Sequence, residues 1–232
     1  MKKTAVILAG GKGKRLKPYT LTMPKPLMPL EDKPILEIII RNLSKYGFKK
    51  IYIAANYRSD IIKAFFENGK KFGVEIIYSV EKKELGTAAP IKILKKLPSN
   101  FLVINGDILT NLNFNTFYNE HVKKKSLMSI GITQRKQLID YGIIEIDKKK
   151  IINIKEKPIY NFYVSMGIYV LNKRILKFIP KNKRYGFNNL IEKILHSKIR
   201  IDYHLHNGYW LDIGRPDDYE RAQLDYKKIK KL

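Results

Sequence analysis

The residues Leu8-Ala9-Gly10-Gly11-Lys12-Gly13-Lys14-Arg15-Leu16, followed by Pro24-Lys25-Pro26-Leu27, set a glycine loop and several cations directly after a short apolar run. Glycine lets backbone N–H groups approach an anion with no Cβ in the way, and Arg15 and Lys25 supply countercharge. The segment therefore reads as a grip for a polyphosphate, the plainer alternative being an ordinary tight turn. Its spacing matches neither G-x-x-x-x-G-K-[ST] nor the G-x-G-x-x-G dinucleotide pattern. Two aspartates stand out further along. Asn105-Gly106-Asp107 follows the apolar run Phe101-Leu102-Val103-Ile104, and Asp212 lies in Tyr209-Trp210-Leu211-Asp212-Ile213-Gly214-Arg215-Pro216. An aspartate at a strand end also reads as a turn residue, and one ahead of a proline as a helix cap. The four histidines, His121, His196, His204 and His206, show no catalytic spacing and read as surface or packing residues.

Groups of this kind need a scaffold, and the apolar periodicity predicts one. Runs that read as buried strands alternate with helix-period stretches through the first half, the pattern of parallel strands joined by crossover helices. Strands are expected at Thr4–Leu8, Ile51–Ala54, Glu75–Tyr78 and Phe101–Ile104, and helices at Ile35–Tyr46, Asp60–Phe66 and Ala88–Leu97, with Thr87 placed to cap the last. The fourth strand delivers Asp107 at its carboxyl end, where open α/β sheets place ligands. In the second half, strands are expected at Leu127–Thr133, Gly142–Ile146, Ile151–Lys155, Val164–Leu171 and Arg200–Leu205. The second and third of these read as a hairpin inserted in the sheet, turning around Lys148-Lys149-Lys150. Helices are expected at Lys173–Ile179, at Asn188–His196 and from Pro216, and the charged tail Lys227–Leu232 is expected to fray.

A chain of 232 residues is long enough for one large α/β domain and short for two, so no second catalytic domain is expected. The absence of cysteine excludes disulfides, thiolate metal sites and cysteine nucleophiles, and it agrees with a reducing compartment, so cytoplasm is the expectation. The start, Met1-Lys2-Lys3-Thr4-Ala5-Val6-Ile7-Leu8, imitates a signal peptide, but Gly10-Gly11 and the cations that follow cut the apolar run, and it reads as the first strand. No segment approaches the length of a membrane span. A formal net charge of +25 raises nucleic acid as a partner. The lysines, however, are scattered in small groups such as Lys49-Lys50 and Lys123-Lys124-Lys125 at expected turns and helix ends. The surface therefore reads as solvated, with no specific nucleic acid expected, while the basic field helps attract anionic substrates.

The opening loop resembles the signature G-G-x-G-[ST]-R-L-x-P-x-T-x-x-x-P-K-P-[LM] of the sugar-phosphate nucleotidyltransferases, with Lys14 where Thr or Ser is usual. Further motifs of that family follow in order. Glu81 with Leu85-Gly86-Thr87-Ala88 is similar to E-x-x-P-L-G-T-A, Glu84 replacing Pro, and Asn105-Gly106-Asp107 is similar to the G-D motif. Tyr141-Gly142-Ile143-Ile144-Glu145 resembles Y-G-V-V-E, Glu156-Lys157-Pro158 resembles E-K-P, and Ser165-Met166-Gly167-Ile168-Tyr169 resembles N-x-G-I-Y with Ser165 for Asn. Trp210-Leu211-Asp212-Ile213-Gly214-Arg215-Pro216 resembles W-x-D-x-G-[TR]-P. No hexapeptide-repeat tail is found, so an appended β-helix acyltransferase is not expected.

The resemblance implies an α/β fold: a Rossmann-like, mixed but mainly parallel sheet flanked by helices, with an inserted sugar-binding hairpin. It implies a single domain over 1–232, residues 1–110 mainly serving the nucleotide and 111–232 mainly the sugar phosphate. A nucleoside triphosphate is then held by Leu8, Ala9, Gly10, Gly11, Gly13, Arg15, Lys25, Glu81, Gly86, Thr87 and Asn105, and a sugar 1-phosphate by Gly142, Glu156, Lys157, Ser165 and Gly167. The implied catalytic residues are Arg15, Lys25, Asp107, Lys157 and Asp212, with Asp107 and Asp212 holding Mg²⁺ through hard carboxylate oxygens. The implied reaction is an in-line attack of the sugar phosphate on the α-phosphorus of the triphosphate with loss of pyrophosphate. Such chemistry asks for positioning and charge neutralisation. The product is a nucleotide sugar for cell-surface glycan biosynthesis, with a slight preference for GTP. The alternatives are uridylyl or thymidylyl transfer, cytidylyl transfer to a small phosphorylated alcohol or amine, a catalytically silent regulatory subunit, and a basic nucleic-acid-binding domain. A homo-oligomer is compatible with the sequence.

Overall fold

The computed structural model describes residues 2–81 and 83–229. Its first strand, β1 (Lys3–Ala9), alternates between two cores: Ala5, Ile7 and Ala9 pack into one and Val6 into the other. A strand that is apolar on both faces needs cover on both, and helices supply it. After a small ribbon of β2 (Pro29–Leu30) and β3 (Lys33–Pro34), α1 (Ile35–Lys45) buries Ile35, Leu36, Ile39, Ile40 and Leu43, the three-to-four spacing of a single helix face. Then come β4 (Phe48–Ala55), α2 (Ser59–Phe66), β5 (Glu75–Val80), the single turn α3 (Ala89–Lys92) and β6 (Asn100–Asn105). Of these helices, α1 and α2 pack into the first core and α3 into the second.

The second half adds β7 (Ile108–Thr110), α4 (Phe114–Lys124), β8 (Met128–Leu138), β9 (Ile143–Asp147), β10 (Lys150–Lys155), β11 (Ile159–Asn172), α5 (Phe187–His196), β12 (Asp202–Leu205), β13 (Trp210–Asp212) and α6 (Pro216–Ile229). Seven strands form one sheet in the order β12-β8-β11-β6-β1-β4-β5. Strands β6, β1, β4 and β5 are parallel, and β12 is parallel to β8. Only β11 runs against its neighbours, β6 and β8. The sheet is thus mixed and mainly parallel, as expected, and its strands come from both halves of the chain. Among the described residues no helix is long and apolar enough to cross a membrane.

Several expectations need correction. The β9–β10 hairpin is not inserted in the sheet but forms a separate two-stranded ribbon. Strands β8 and β11 pair with each other out to Leu138 and Ile159, and the chain between them folds back on itself as a ribbon of its own. The helix expected over Ala88–Leu97 stops after one turn, with Pro90 at its start and Lys96 at φ 60° just beyond it. Lys173–Phe178 is a 3-10 rather than an α-helix. Helix α4 was not expected, because its buried side is only Phe114, Phe117 and His121 and its mean character is polar. Strands β7 and β13 are too short to show a period. The tail expected to fray is helical through Ile229, and residues 230–232 lie outside the described residues.

Candidate active site

Strands β1 and β6 lie side by side with Leu8 opposite Asn105, so the glycine loop and the Gly106-Asp107 turn leave the same edge of the sheet together. The N–H of Gly106 donates to the Leu8 carbonyl at 2.9 Å. Above this junction lies a cavity of about 460 Å³. Of the eleven residues expected to hold the nucleotide, ten line it: Leu8, Ala9, Gly10, Gly11, Gly13, Lys25, Glu81, Gly86, Thr87 and Asn105. Arg15 does not line this cavity. Its guanidinium lies by Gly214, 3.4 Å from where a Cβ on that glycine would sit.

The two aspartates are brought together by the β7–β13 ladder. Asp212 stands opposite Ile108, and the N–H of Ile213 donates to the Asp107 carbonyl at 3.0 Å. Leu211 points into the core, and alternation sets Trp210 and Asp212 on the other side of the strand, where Trp210 still packs partly against that core. The Trp210 indole N–H donates to the Met166 carbonyl at 2.9 Å, and the Arg135 guanidinium lies 5.0 Å from the indole centroid, which fixes that outer face. Lys25, itself buried, donates to Asp107 Oδ2. Asp107 Oδ1 is buried with no hydrogen-bond partner. Burial, and then the neighbouring Asp107, raise the Asp212 carboxyl above its ordinary range, with Lys25 and Arg15 acting in the opposite sense. Two close carboxylates with a spare buried oxygen suit a hard divalent cation such as Mg²⁺. Among the described residues no group of three or more His, Cys, Asp or Glu forms such a site, so phosphate oxygens and water would complete the shell.

At the opposite side of the cavity the chain around Glu81 is pinned to the segment before α5. Glu81 is buried, its Oε2 accepting from the Leu85 N–H at 3.1 Å while Oε1 faces the glycine loop, 3.5 Å from where a Cβ on Gly10 would sit. Burial raises its pKa and the Leu85 bond partly offsets this. The Tyr185 N–H donates to the Leu85 carbonyl at 2.8 Å, and the Tyr185 carbonyl accepts from Ala88 and Ala89 at 3.0 and 3.1 Å. Thr87 does not cap the short helix after it. Its hydroxyl accepts from Phe187, the first residue of α5, at 3.0 Å, where Gly186 has no side chain to do so. Arg184, also on the cavity wall, was missed by sequence reasoning because no motif marks it. Gly86 has φ 85°, and a Cβ there would lie 2.9 Å from the Tyr185 carbonyl oxygen. Gly86→Ala is expected to lower stability by about 2 kcal/mol through left-handed strain and this backbone clash. A urea midpoint moved by less than about 0.5 kcal/mol equivalent would show that the two segments relax apart freely.

The residues expected at the sugar end form a second group. Glu156 Oε2 lies 3.1 Å from where a Cβ on Gly142 would sit. Lys157 pairs with Asp140 at 3.0 Å, both side chains largely exposed. Neither these residues nor Ser165 line the 460 Å³ cavity. The Ser165 hydroxyl shares a 3.2 Å hydrogen bond with the Tyr169 hydroxyl, and Tyr169 stacks on Phe187 at 3.8 Å. Gly167 connects the groups. It sits at φ 70° where the β8–β11 register shifts, and a Cβ there would lie 2.5 Å from Asn105 Nδ2, so its missing side chain is the space Asn105 occupies.

A family model described as Nucleotidyl transferase matches residues 4–229. The chain is 31% identical over 225 residues to D-glycero-alpha-D-manno-heptose 1-phosphate guanylyltransferase of Aneurinibacillus thermoaerophilus, covering 95% of this chain and 97% of that one. It is 34% identical to mannose-1-phosphate guanyltransferase of Yarrowia lipolytica, covering 92% of this chain and 61% of that protein. HddC from Yersinia pseudotuberculosis, complexed with GMP-PN, superposes with a TM-score of 0.74 at 27% identity, covering 97% of this chain and 99% of the other. The chain belongs to the nucleotidyl transferase family.

Proposed function

We infer that the protein transfers a nucleoside monophosphate, by preference from GTP, to a sugar 1-phosphate, releasing pyrophosphate and a nucleotide sugar that feeds cell-surface glycan biosynthesis. The observation that carries this reading is the convergence of Lys25, Asp107 and Asp212 beside a cavity walled by the glycine loop. The backbone N–H groups of Gly10, Gly11 and Gly13 receive the triphosphate. Arg15 neutralises its β- and γ-phosphates, and Lys25 those nearer the reacting centre. Lys157 holds the phosphate of the sugar substrate while Gly142 and Glu156 meet the ring and its hydroxyls. An oxygen of that phosphate forms the new bond to the α-phosphorus, and the bond to the bridging oxygen breaks with its electron pair leaving on pyrophosphate. The attacking phosphate is already an anion near neutral pH, so no general base is required and the positioning of charge decides the rate. Asp107 and Asp212 would hold Mg²⁺, which supplies positive charge at the α-phosphate when bound.

Glu81 favours guanine. That base presents N1–H and the N2 amine as adjacent donors, which a carboxylate accepts together, whereas uracil and thymine set a single N–H between two carbonyls that repel it. The guanylyltransferase names of two relatives support the same base. Pyrophosphate release measured for each nucleoside triphosphate against a panel of sugar 1-phosphates is expected to show turnover with GTP, and silence with every pair would refute the reading. Glu81→Gln keeps an acceptor for Leu85 and is expected to lower kcat/KM for GTP at least about tenfold while sparing UTP. An equal loss with all triphosphates would mean that Glu81 supports its loop and does not read the base.

A further inference from the structure

Among the described residues, four cations line the cavity of about 460 Å³: Lys12, Lys14, Lys25 and Arg184. Lys25 is tied to Asp107, and Arg15 lies outside the lining, by Gly214. Lys12, Lys14 and Arg184 therefore carry the cavity's remaining positive charge, and they converge on one carboxylate. Lys12 Nζ pairs with Glu84 Oε1 at 2.8 Å. The hydrogen bond and charge of Lys12, and then the charges of Lys14 and Arg184, hold the Glu84 carboxyl below its ordinary range. Glu81 is not part of this group, since it is turned to the Leu85 N–H and to Gly10. The ion pair joins segments that leave the sheet two strands apart. Lys12 follows β1 and Glu84 follows β5, with β4 between them, so at about 4.8 Å per strand the pair crosses a gap of roughly 10 Å. Both segments also depart from the family patterns, in opposite sign: Lys14 stands for Thr or Ser on the first and Glu84 for Pro on the second.

We propose, on the reading that this cavity takes a nucleoside triphosphate, that Lys12 and Lys14 bind its terminal phosphates and that Glu84 is the counter-ion they give up to it. The pair is poorly suited to clamping the fold. Its side chains are 46% and 53% exposed, and exposed ion pairs add little to stability. The same weakness suits a contact that must part at each turnover. A terminal phosphate brings more charge and more acceptor oxygens than one carboxylate, so it displaces Glu84 from Lys12. Lysine is a compact charge on a flexible stem and changes partner without moving the backbone. There is room for the exchange, because a Cβ on the neighbouring Gly11 would meet nothing within 4 Å. Once the bond to the α-phosphorus breaks, pyrophosphate lies among the same cations. Glu84, fixed to the wall at high effective concentration, then competes for Lys12 and favours release.

Isothermal titration of inorganic pyrophosphate and of GTP, each with Mg²⁺, into the full chain and its variants reads this without turnover. Glu84→Gln should bind both at least about threefold more tightly, and in steady-state assays pyrophosphate should inhibit it more strongly by the same factor. Lys12→Ala and Lys14→Ser should bind both at least about threefold more weakly. All three side chains are exposed, so the far-UV CD spectrum should not change. Added to Lys12→Ala, Glu84→Gln should recover less than about half of the tightening it gives alone, because its main partner is gone. Glu75→Gln makes the same change in net charge beside Lys50, at the start of β5, and should move neither constant. Parental binding by Glu84→Gln, parental binding by both lysine variants, or a Glu75→Gln protein that tightens as much as Glu84→Gln would each overturn the proposal, the last by reducing it to a long-range field. A parent that binds neither pyrophosphate nor any nucleoside triphosphate would overturn the triphosphate reading as well, whereas normal parental binding with unmoved variants would overturn this inference alone.

Discussion

Asp107→Asn and Asp212→Asn are each expected to cut turnover at least about a hundredfold while the protein stays folded, because each removes an anion from a step governed by charge. The pair is held by backbone bonds of the β7–β13 ladder, which an amide leaves intact. The two variants should differ in stability. Asparagine at 107 loses the ion pair with Lys25, whereas asparagine at 212 removes a carboxylate that burial and Asp107 make costly to ionise. With its folded value raised above the unfolded one, Asp212 destabilises the metal-free protein above that raised value, and stability recovers as pH falls through it. The Asp212→Asn protein should therefore melt no lower than the parent at neutral pH and lose that part of the pH dependence. Turnover of the parent should fall on the acid side as Asp212 takes up its proton. Near-normal turnover of either variant at limiting Mg²⁺ would refute the metal assignment for that residue.

Lys25→Ala is expected to raise the Michaelis constant for the triphosphate and lower kcat/KM with it at least about thirtyfold, leaving sugar-phosphate saturation less changed, and Lys157→Ala is expected to do the reverse. Burial distinguishes them further. Lys25 is 9% exposed, and its loss leaves the Asp107 carboxylate, 25% exposed, without that donor, a penalty toward the lower end of about 1–3 kcal/mol. Lys157 is exposed and its ion pair with Asp140 is worth little, so its removal should not move the melting point. Steady-state kinetics with each substrate varied in turn, alongside thermal melts, reads both effects. Equal damage to both Michaelis constants in the two variants would end this division of labour.

Local patterns in the sequence determined the mainly parallel sheet, the β1-to-glycine-loop junction and the delivery of Asp107 at the end of β6. Each of these is written in consecutive residues: an apolar run buried on both faces, followed by glycines, of which Gly13 takes φ 62° where a Cβ would lie 2.8 Å from Thr20 Cγ2. Tertiary structure alone decided how distant pieces meet. Asp212 reaches Asp107 through three-residue strands whose pairing no periodicity announces. Thr87 serves α5, a hundred positions away, in place of the turn beside it, because a hydroxyl bonds whichever free N–H the packing presents. Arg184 enters the cavity wall only because Tyr185 is bonded to Leu85, Ala88 and Ala89. Strands β9 and β10 read in the sequence as a hairpin inserted in the sheet, and the hairpin itself is present. Whether it joins the sheet was decided by the tertiary packing, which sets it apart as a ribbon with Ile144, Ile146, Ile151 and Ile154 between 43% and 70% exposed.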